Sequence, residues 1–153
     1  MRTDNRLPRV LHVLLHLEDN KDPMTSDQIG QMLGMNASLV RRTMAGLRDA
    51  GFLSSTKGHG GGWYLVRPLK EITLAQVYDA LGQPRLFAIG QSDDTPTCLL
   101  ERAANKATKN ALTAAQEVFT TTLEQTSVAD IVDGVRDQID QFQPPNANDN
   151  ETC

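Results

Sequence analysis

A chain of 153 residues, 39% of them hydrophobic and 22% charged, has the composition of one globular domain, or of a small domain with an appendage, and not of a disordered tail. No apolar run approaches the roughly 18 residues of a membrane span, and the amino terminus lacks the basic-then-apolar layout of a signal peptide, so a cytoplasmic protein is expected. Two cysteines, Cys98 and Cys153, form no CxxC or Cys/His ladder, which excludes a disulfide scaffold and a self-contained zinc module, and the net charge of -4 hides an asymmetry. Residues 1–70 carry ten Lys/Arg against six Asp/Glu, whereas residues 71–153 carry five against thirteen. A basic front suited to a polyanion is thus joined to an acidic back.

Val10, Leu11, Leu14, Leu15 and Leu17 recur at helical spacing after Pro8, which predicts an amphipathic helix over 8–18. Thr25-Ser26-Asp27-Gln28 has the spacing of a capping box ahead of Ile29, Met32 and Leu33, with Gly34 as the stop. Asn36 can cap a third helix, ended by Gly51, on which Leu39, Val40, Met44 and Leu47 form the apolar face. Two helices joined by so short a turn predict a helix-turn-helix. Alternation at Phe52–Thr56 and again at Trp63–Val66 predicts two strands around Lys57-Gly58-His59-Gly60-Gly61-Gly62, a hairpin placed as a wing. Thr73-Leu74-Ala75-Gln76 opens a helix over 73–81, and residues 83–97 read as an irregular connector. From Cys98 onward, Leu99, Leu100, Ala103, Ala107, Ala111, Leu112, Ala115, Val118, Phe119 and Leu123 follow at steps of three and four, with no Gly or Pro through residue 126. Such a helix would be about 40 Å long, too long for this domain to cover, and it calls for a partner. Ser127-Val128-Ala129-Asp130 opens a closing short helix, and Gln143–Cys153 reads as a disordered tail.

The face of the third helix opposite its apolar stripe presents Ser38, Arg41, Arg42, Ala45 and Arg48. Arginine makes bidentate contacts to guanine edges, and a small residue such as Ser38 lets a helix approach the major groove closely. The glycine cluster at 58–62 lacks the last glycine of a dinucleotide fingerprint and the GK[ST] of a phosphate loop, so it reads as a hairpin tip whose amides can approach phosphates. His12 and His16 lie one turn apart with no further ligand beside them and read as ordinary helix-face histidines, while His59 reads as a wing-tip contact. No nucleophile–base set or carboxylate pair stands out, so an enzyme has no residues to rest on.

The string Gly58-His59-Gly60-Gly61-Gly62-Trp63-Tyr64-Leu65-Val66-Arg67-Pro68, followed by Glu71-Ile72-Thr73-Leu74, resembles the wing and following helix of the Rrf-two family of winged-helix regulators, of the IscR and NsrR kind. Leu47-Arg48-Asp49-Ala50-Gly51-Phe52-Leu53 and Ser127-Val128-Ala129-Asp130-Ile131 extend the resemblance to about residues 2–131. It implies a homodimeric bacterial transcription factor whose long carboxyl-terminal helices cross. Cluster-binding members group three cysteines before and at the start of that helix, where this chain has only Cys98, and Thr3-Asp4-Asn5-Arg6-Leu7-Pro8 departs from the family's usual beginning. The resemblance therefore implies a cluster-less branch with no iron–sulfur cofactor and no other metal.

The expected fold is mainly α, a winged helix-turn-helix with a two-stranded β wing and a long dimerisation helix. Its expected divisions are a DNA-binding domain at 1–82, a connector at 83–97, a dimerisation helix and closing short helix at 98–142, and a tail at 143–153. The expected function is sequence-specific DNA binding as a homodimeric repressor on an inverted-repeat operator of double-stranded DNA. The expected contacts are Ser38, Arg41, Arg42, Arg48, Lys57, Gly58, His59, Gly60 and Gly61. Cys98, placed in the first turn of the long helix, is the candidate redox thiol, its pKa lowered by the helix end against the opposing charges of Asp93, Asp94 and Glu101. A winged-helix protein-interaction module without DNA binding, or a regulator answering a small molecule or partner protein, is the alternative. An enzyme is disfavoured because only about 70 residues remain outside the winged helix.

Overall fold

The computed structural model describes residues 4–90 and 96–141. Helix α1 (Arg6–Asp19) begins two residues before the expected start, with Pro8 still inside the first turn, where a missing N–H costs no helical bond. It buries Val10, Val13, Leu14 and Leu17. Helix α2 (Ser26–Leu33) starts with the expected reciprocal cap: Gln28 N donates to Thr25 Oγ1 at 3.1 Å, and Thr25 N donates to Gln28 Oε1 at 2.8 Å. Gly34 ends it in the left-handed region at φ 61°. Helix α3 (Ala37–Asp49) is capped by Asn36, whose Oδ1 accepts from Leu39 N at 2.9 Å.

The inner face of α3 consists of Val40, Met44 and Leu47. Leu39, expected on that stripe, is instead 38% exposed. It lies a full 100° step around the helix from Val40, outside the arc that the 40, 44, 47 spacing aims at the core. Strands β1 (Leu53–Ser55) and β2 (Trp63–Leu65) pair antiparallel, Leu53 opposite Leu65 and Ser55 opposite Trp63. Met24, just before α2, adds a bridge on the far edge of β2, exchanging two backbone bonds with Trp63 at 3.0 and 2.8 Å. A 3-10 turn (Leu69–Glu71) leads into α4 (Leu74–Ala80), which repeats the Thr-x-x-Gln box with Thr73 and Gln76.

Helix α5 (Leu99–Glu124) runs for 26 residues, about 39 Å at 1.5 Å per residue. After it the chain returns to the front of the molecule. Leu74 N donates to Thr126 O at 2.9 Å and Val128 N to Ile72 O at 2.8 Å. Val128 is fully buried in the same cluster as Val13, Leu14, Ile29, Met44, Leu47, Leu53 and Ile72. Burying a leucine such as Leu14 or Leu47 in that cluster stabilises the fold by about 1.5–3 kcal/mol. A smaller cluster joins Ala75 and Tyr78 of α4 to Leu123 of α5, with Phe119 stacked edge-on to Tyr78 at 5.4 Å between ring centroids. Phe119 and Leu123, expected to supply area for a partner, are thus spent within the chain. Ser127 and Asp130 bond reciprocally at 2.7 and 3.2 Å, and two short helices follow in place of the one expected, α6 (Asp130–Asp133) and α7 (Arg136–Gln141). The expected tail lies outside the described residues, as do Asp93 and Asp94.

Candidate nucleic-acid interface

The turn that sets α3 across α2 depends on Gly30. A Cβ there would stand 2.6 Å from Met35 O, whose own N–H donates to Gly30 O at 2.8 Å, so only glycine permits this approach. With Val40, Met44 and Leu47 held inside, Ser38, Arg41 and Arg42 are exposed on the opposite side. Arg41 Nη2 donates to Ser38 Oγ at 3.3 Å, and among the described residues neither Arg41 nor Arg42 enters an ion pair. No acid occupies the first turn of α3, so the positive end of its dipole and both guanidiniums face outward together. Arg48 differs. It sits in the last turn and pairs with Asp49 at 3.3 Å, a surface contact that partly neutralises it and adds about 0–1 kcal/mol. The exposed Leu39 lies beside this row, a residue that apolar spacing had assigned to the core.

The wing follows α3 after a short turn at Gly51. Lys57, Gly58, His59 and Gly60 are exposed at its tip, with Gly58 and Gly60 at positive φ of 94° and 76°. Gly61 has a different part to play. It is half-buried, donates its N–H to Gly58 O at 3.0 Å, and would place a Cβ 2.5 Å from Thr56 O. It therefore closes the loop, leaving the outward positions to residues 57–60. The base of the wing is tied to α2, because Trp63 is buried and donates from Nε1 to Ser26 Oγ at 3.0 Å, beside the Met24 bridge. Arg67 is also turned inward: it lies 5.6 Å over the Phe52 ring and donates to Glu71 O at 2.6 Å. Of Lys57 and Arg67, only Lys57 remains at the tip, beside His59.

Cys98 stands away from this surface. It is the N-cap of α5, one position before the expected first turn, and it is exposed. The backbone amides of Glu101 and then Leu100 hold its pKa below the ordinary thiol value. His12 and His16, read as ordinary helix-face histidines, are hydrogen-bonded to each other, Nε2 to Nε2, at 2.9 Å.

A chain with this order of helices, hairpin and long helix matches a family model over residues 3–134, described as an iron-dependent transcriptional regulator, Rrf2. The chain belongs to the Rrf2 family. Its members are transcriptional regulators and not enzymes. YffB of Lactococcus lactis, named as a helix-turn-helix-type transcriptional regulator, is 30% identical over 129 residues, which make up 81% of this chain and 80% of that protein. IscR of Photorhabdus laumondii is 30% identical over 58% of this chain and 48% of its own length. Among solved structures, a regulator from Lactobacillus plantarum superposes with a TM-score of 0.69 at 20% identity, covering 89% of this chain and 97% of that one. The T. potens IscR gives a TM-score of 0.62 at 15% identity, over 95% and 94% of the two chains. These likenesses support the winged-helix fold and its mainly helical class.

The family's description raises iron, and the Rrf2 resemblance raised an iron–sulfur cluster. The described residues of one chain do not fit either. Cys98 is the one cysteine among them, and no three His, Cys, Asp or Glu side chains among them converge on a common point. A cluster held by thiolates needs four ligands of that kind.

Proposed function

We propose that this Rrf2 regulator is a cytoplasmic, homodimeric repressor that reads an inverted repeat in double-stranded DNA. In this reading α3 enters the major groove, where Arg41 and Arg42 contact guanine edges and Ser38 keeps the approach close. Leu39 adds an apolar contact for a thymine methyl, and Arg48, already paired with Asp49, holds a phosphate at the groove's edge. The wing tip, Lys57 to Gly60, reaches the neighbouring backbone, with Gly61 shaping the loop. The observation that carries the reading is the outward row of Ser38, Arg41 and Arg42, free of acids, on a helix whose other face is locked in the core. No described helix is long and apolar enough to cross a membrane, which agrees with a protein working on DNA.

The division into a DNA-binding unit at 1–82, a connector at 83–97 and a dimerising unit at 98–142 belongs to the same proposal. Leu99, Leu100 and Val118, exposed at 75%, 81% and 69%, with Ala103, Ala107, Ala111 and Ala115 between them, offer a face for a second copy of α5. Cys98 at the root of that helix would couple its oxidation to the angle between the two recognition helices. The test is selection of bound sequences from random duplex DNA, with reduced and peroxide-treated protein side by side. Recovery of a two-fold repeat bound with a steep salt dependence supports the reading. Recovery of no sequence, with capture of an acidic protein instead, favours an interaction module.

A further inference from the structure

The imidazoles of His12 and His16, one turn apart on α1, are paired in a way that the DNA-binding reading leaves without a role. Their Nε2 atoms are 2.9 Å apart, their ring centroids 4.6 Å, and the ring planes meet at 64°. Two nitrogens bound to one ion at about 2.0–2.1 Å stand about 2.9 Å apart when the angle at the metal is near 90°, and about 3.4 Å when it is tetrahedral. A hydrogen bond between the two rings holds that separation in the ion-free chain, and it equals the right-angled spacing, so an ion would take the place of the shared proton.

We propose that His12 and His16 form a two-nitrogen chelate for a divalent transition ion that takes cis nitrogen ligands at right angles, Ni2+ or Cu2+ by chemical class. Both rings are half-buried, so the helix and its neighbours fix the side-chain positions before an ion arrives. No third His, Cys, Asp or Glu among the described residues completes a cage, so water fills the remaining positions. The site is separate from the cysteine-based cluster that the family suggests, since it uses no thiol. An ion bridging positions i and i+4 also clamps one turn of α1. That helix supplies Val10, Val13, Leu14 and Leu17 to the core that supports α3, so occupancy raises the stability of the DNA-binding unit.

The experiment uses the full chain without an affinity tag and Ni2+ as the probe, because Ni2+ does not oxidise thiols as Cu2+ does. Calorimetry should find one Ni2+ per chain, and thermal unfolding should move upward in its presence. Losing even a partner behind a metal ligand costs about 10- to 100-fold in affinity. His12→Gln and His16→Gln should each weaken binding by at least the lower figure and abolish the thermal shift. His59→Gln and Cys98→Ser should leave both readouts unchanged. Circular dichroism checks that each variant folds, and either of the first two variants suffices if the other does not. Absence of Ni2+ uptake by the parent chain, undiminished uptake by the folded His12 or His16 variants, or loss on removing His59 or Cys98 would each overturn the proposal.

Discussion

Helices α3 and α5 carry similar apolar stripes and use them in opposite ways. On α3, Val40, Met44 and Leu47 are buried within the chain and the polar, basic side is left to solvent. On α5, Leu123 alone is buried, while Leu99, Leu100 and Val118 face outward. A basic outer face is stable in water and waits for a polyanion. An exposed apolar stripe of Leu99, Leu100 and Val118 is the kind of patch that marks an interaction surface. Helix α3 is supported along its inner face and presents charge, whereas α5 is held near its carboxyl end by Tyr78 and Ala75 and presents apolar area.

The largest effect that could break this contrast is on folding. Leu47→Ala removes a fully buried side chain and should destabilise the chain by about 2–5 kcal/mol, read from denaturant unfolding. Leu100→Ala, at a position 81% exposed, should leave the stability of the isolated chain within about 0.5 kcal/mol. Its effect should fall on self-association, with Leu100→Glu shifting mass toward the monomer in sedimentation. Equal losses of stability at both positions and at all concentrations would mean that α5 is already covered within one chain.

The sequence predicted α3 better than α5 because capping is local. Thr25 and Gln28, Thr73 and Gln76, and Asn36 with Leu39 each close a bond over three residues, and each formed where the spacing placed it. Leu39 misled because a stripe of four apolar residues is wider than the arc that the core accepts. The contacts that spacing could not reveal are distant in the chain: Met24 with Trp63, Ser26 with Trp63, and Val128 with Ile72. For the same reason spacing along α5 does not distinguish Phe119 and Leu123, which pack against Tyr78 and Ala75, from the residues left outside. Within the candidate DNA surface, residue type identified Arg41 and Arg42. Only geometry separated Gly61, which closes the wing loop, from Gly58 and Gly60 at its tip.

On the α3 side of the comparison, Arg41→Ala and Arg42→Ala should each cost about 1–3 kcal/mol of specific DNA affinity while leaving thermal unfolding unchanged. Arg48→Ala should cost less, because Asp49 already competes for that guanidinium. Operator titrations in which Arg48 outweighs both others would move the recognition surface to the carboxyl end of the helix.

A smaller effect tests how the wing is held relative to α3. Ser26→Ala keeps the buried Trp63 ring and removes the acceptor of its Nε1 bond. The expected loss is about 0.5–1.5 kcal/mol of stability. A fall in DNA affinity larger than the fall in stability would show that this bond orients the wing, and an unchanged affinity would show that the Met24 bridge does so alone.

The smallest expected effect on the fold is at Cys98. The thiol is exposed at the N-cap of α5, so Cys98→Ser removes no packing and, serine being a good cap, should leave stability at neutral pH equal or slightly higher. Its pKa is lowered by the amides of Glu101 and Leu100, which favour the thiolate in the folded chain. The sign follows: folding gains from the thiolate above the free-thiol pKa, and that gain is lost as pH falls through the lowered folded value. Alkylation of Cys98 should therefore reach half its limiting rate at a lower pH than a free thiol or the unfolded chain. Lying at the start of α5, an oxidised Cys98 would act on the face that α5 presents, and through it on the spacing of two α3 helices. Operator affinity of the parent, Cys98→Ser and Cys153→Ser, measured before and after mild peroxide, decides the matter. A parent that loses affinity while Cys98→Ser keeps it makes the thiol the link between the two helices, and equal affinity in both states of the parent leaves α5 a support and nothing more.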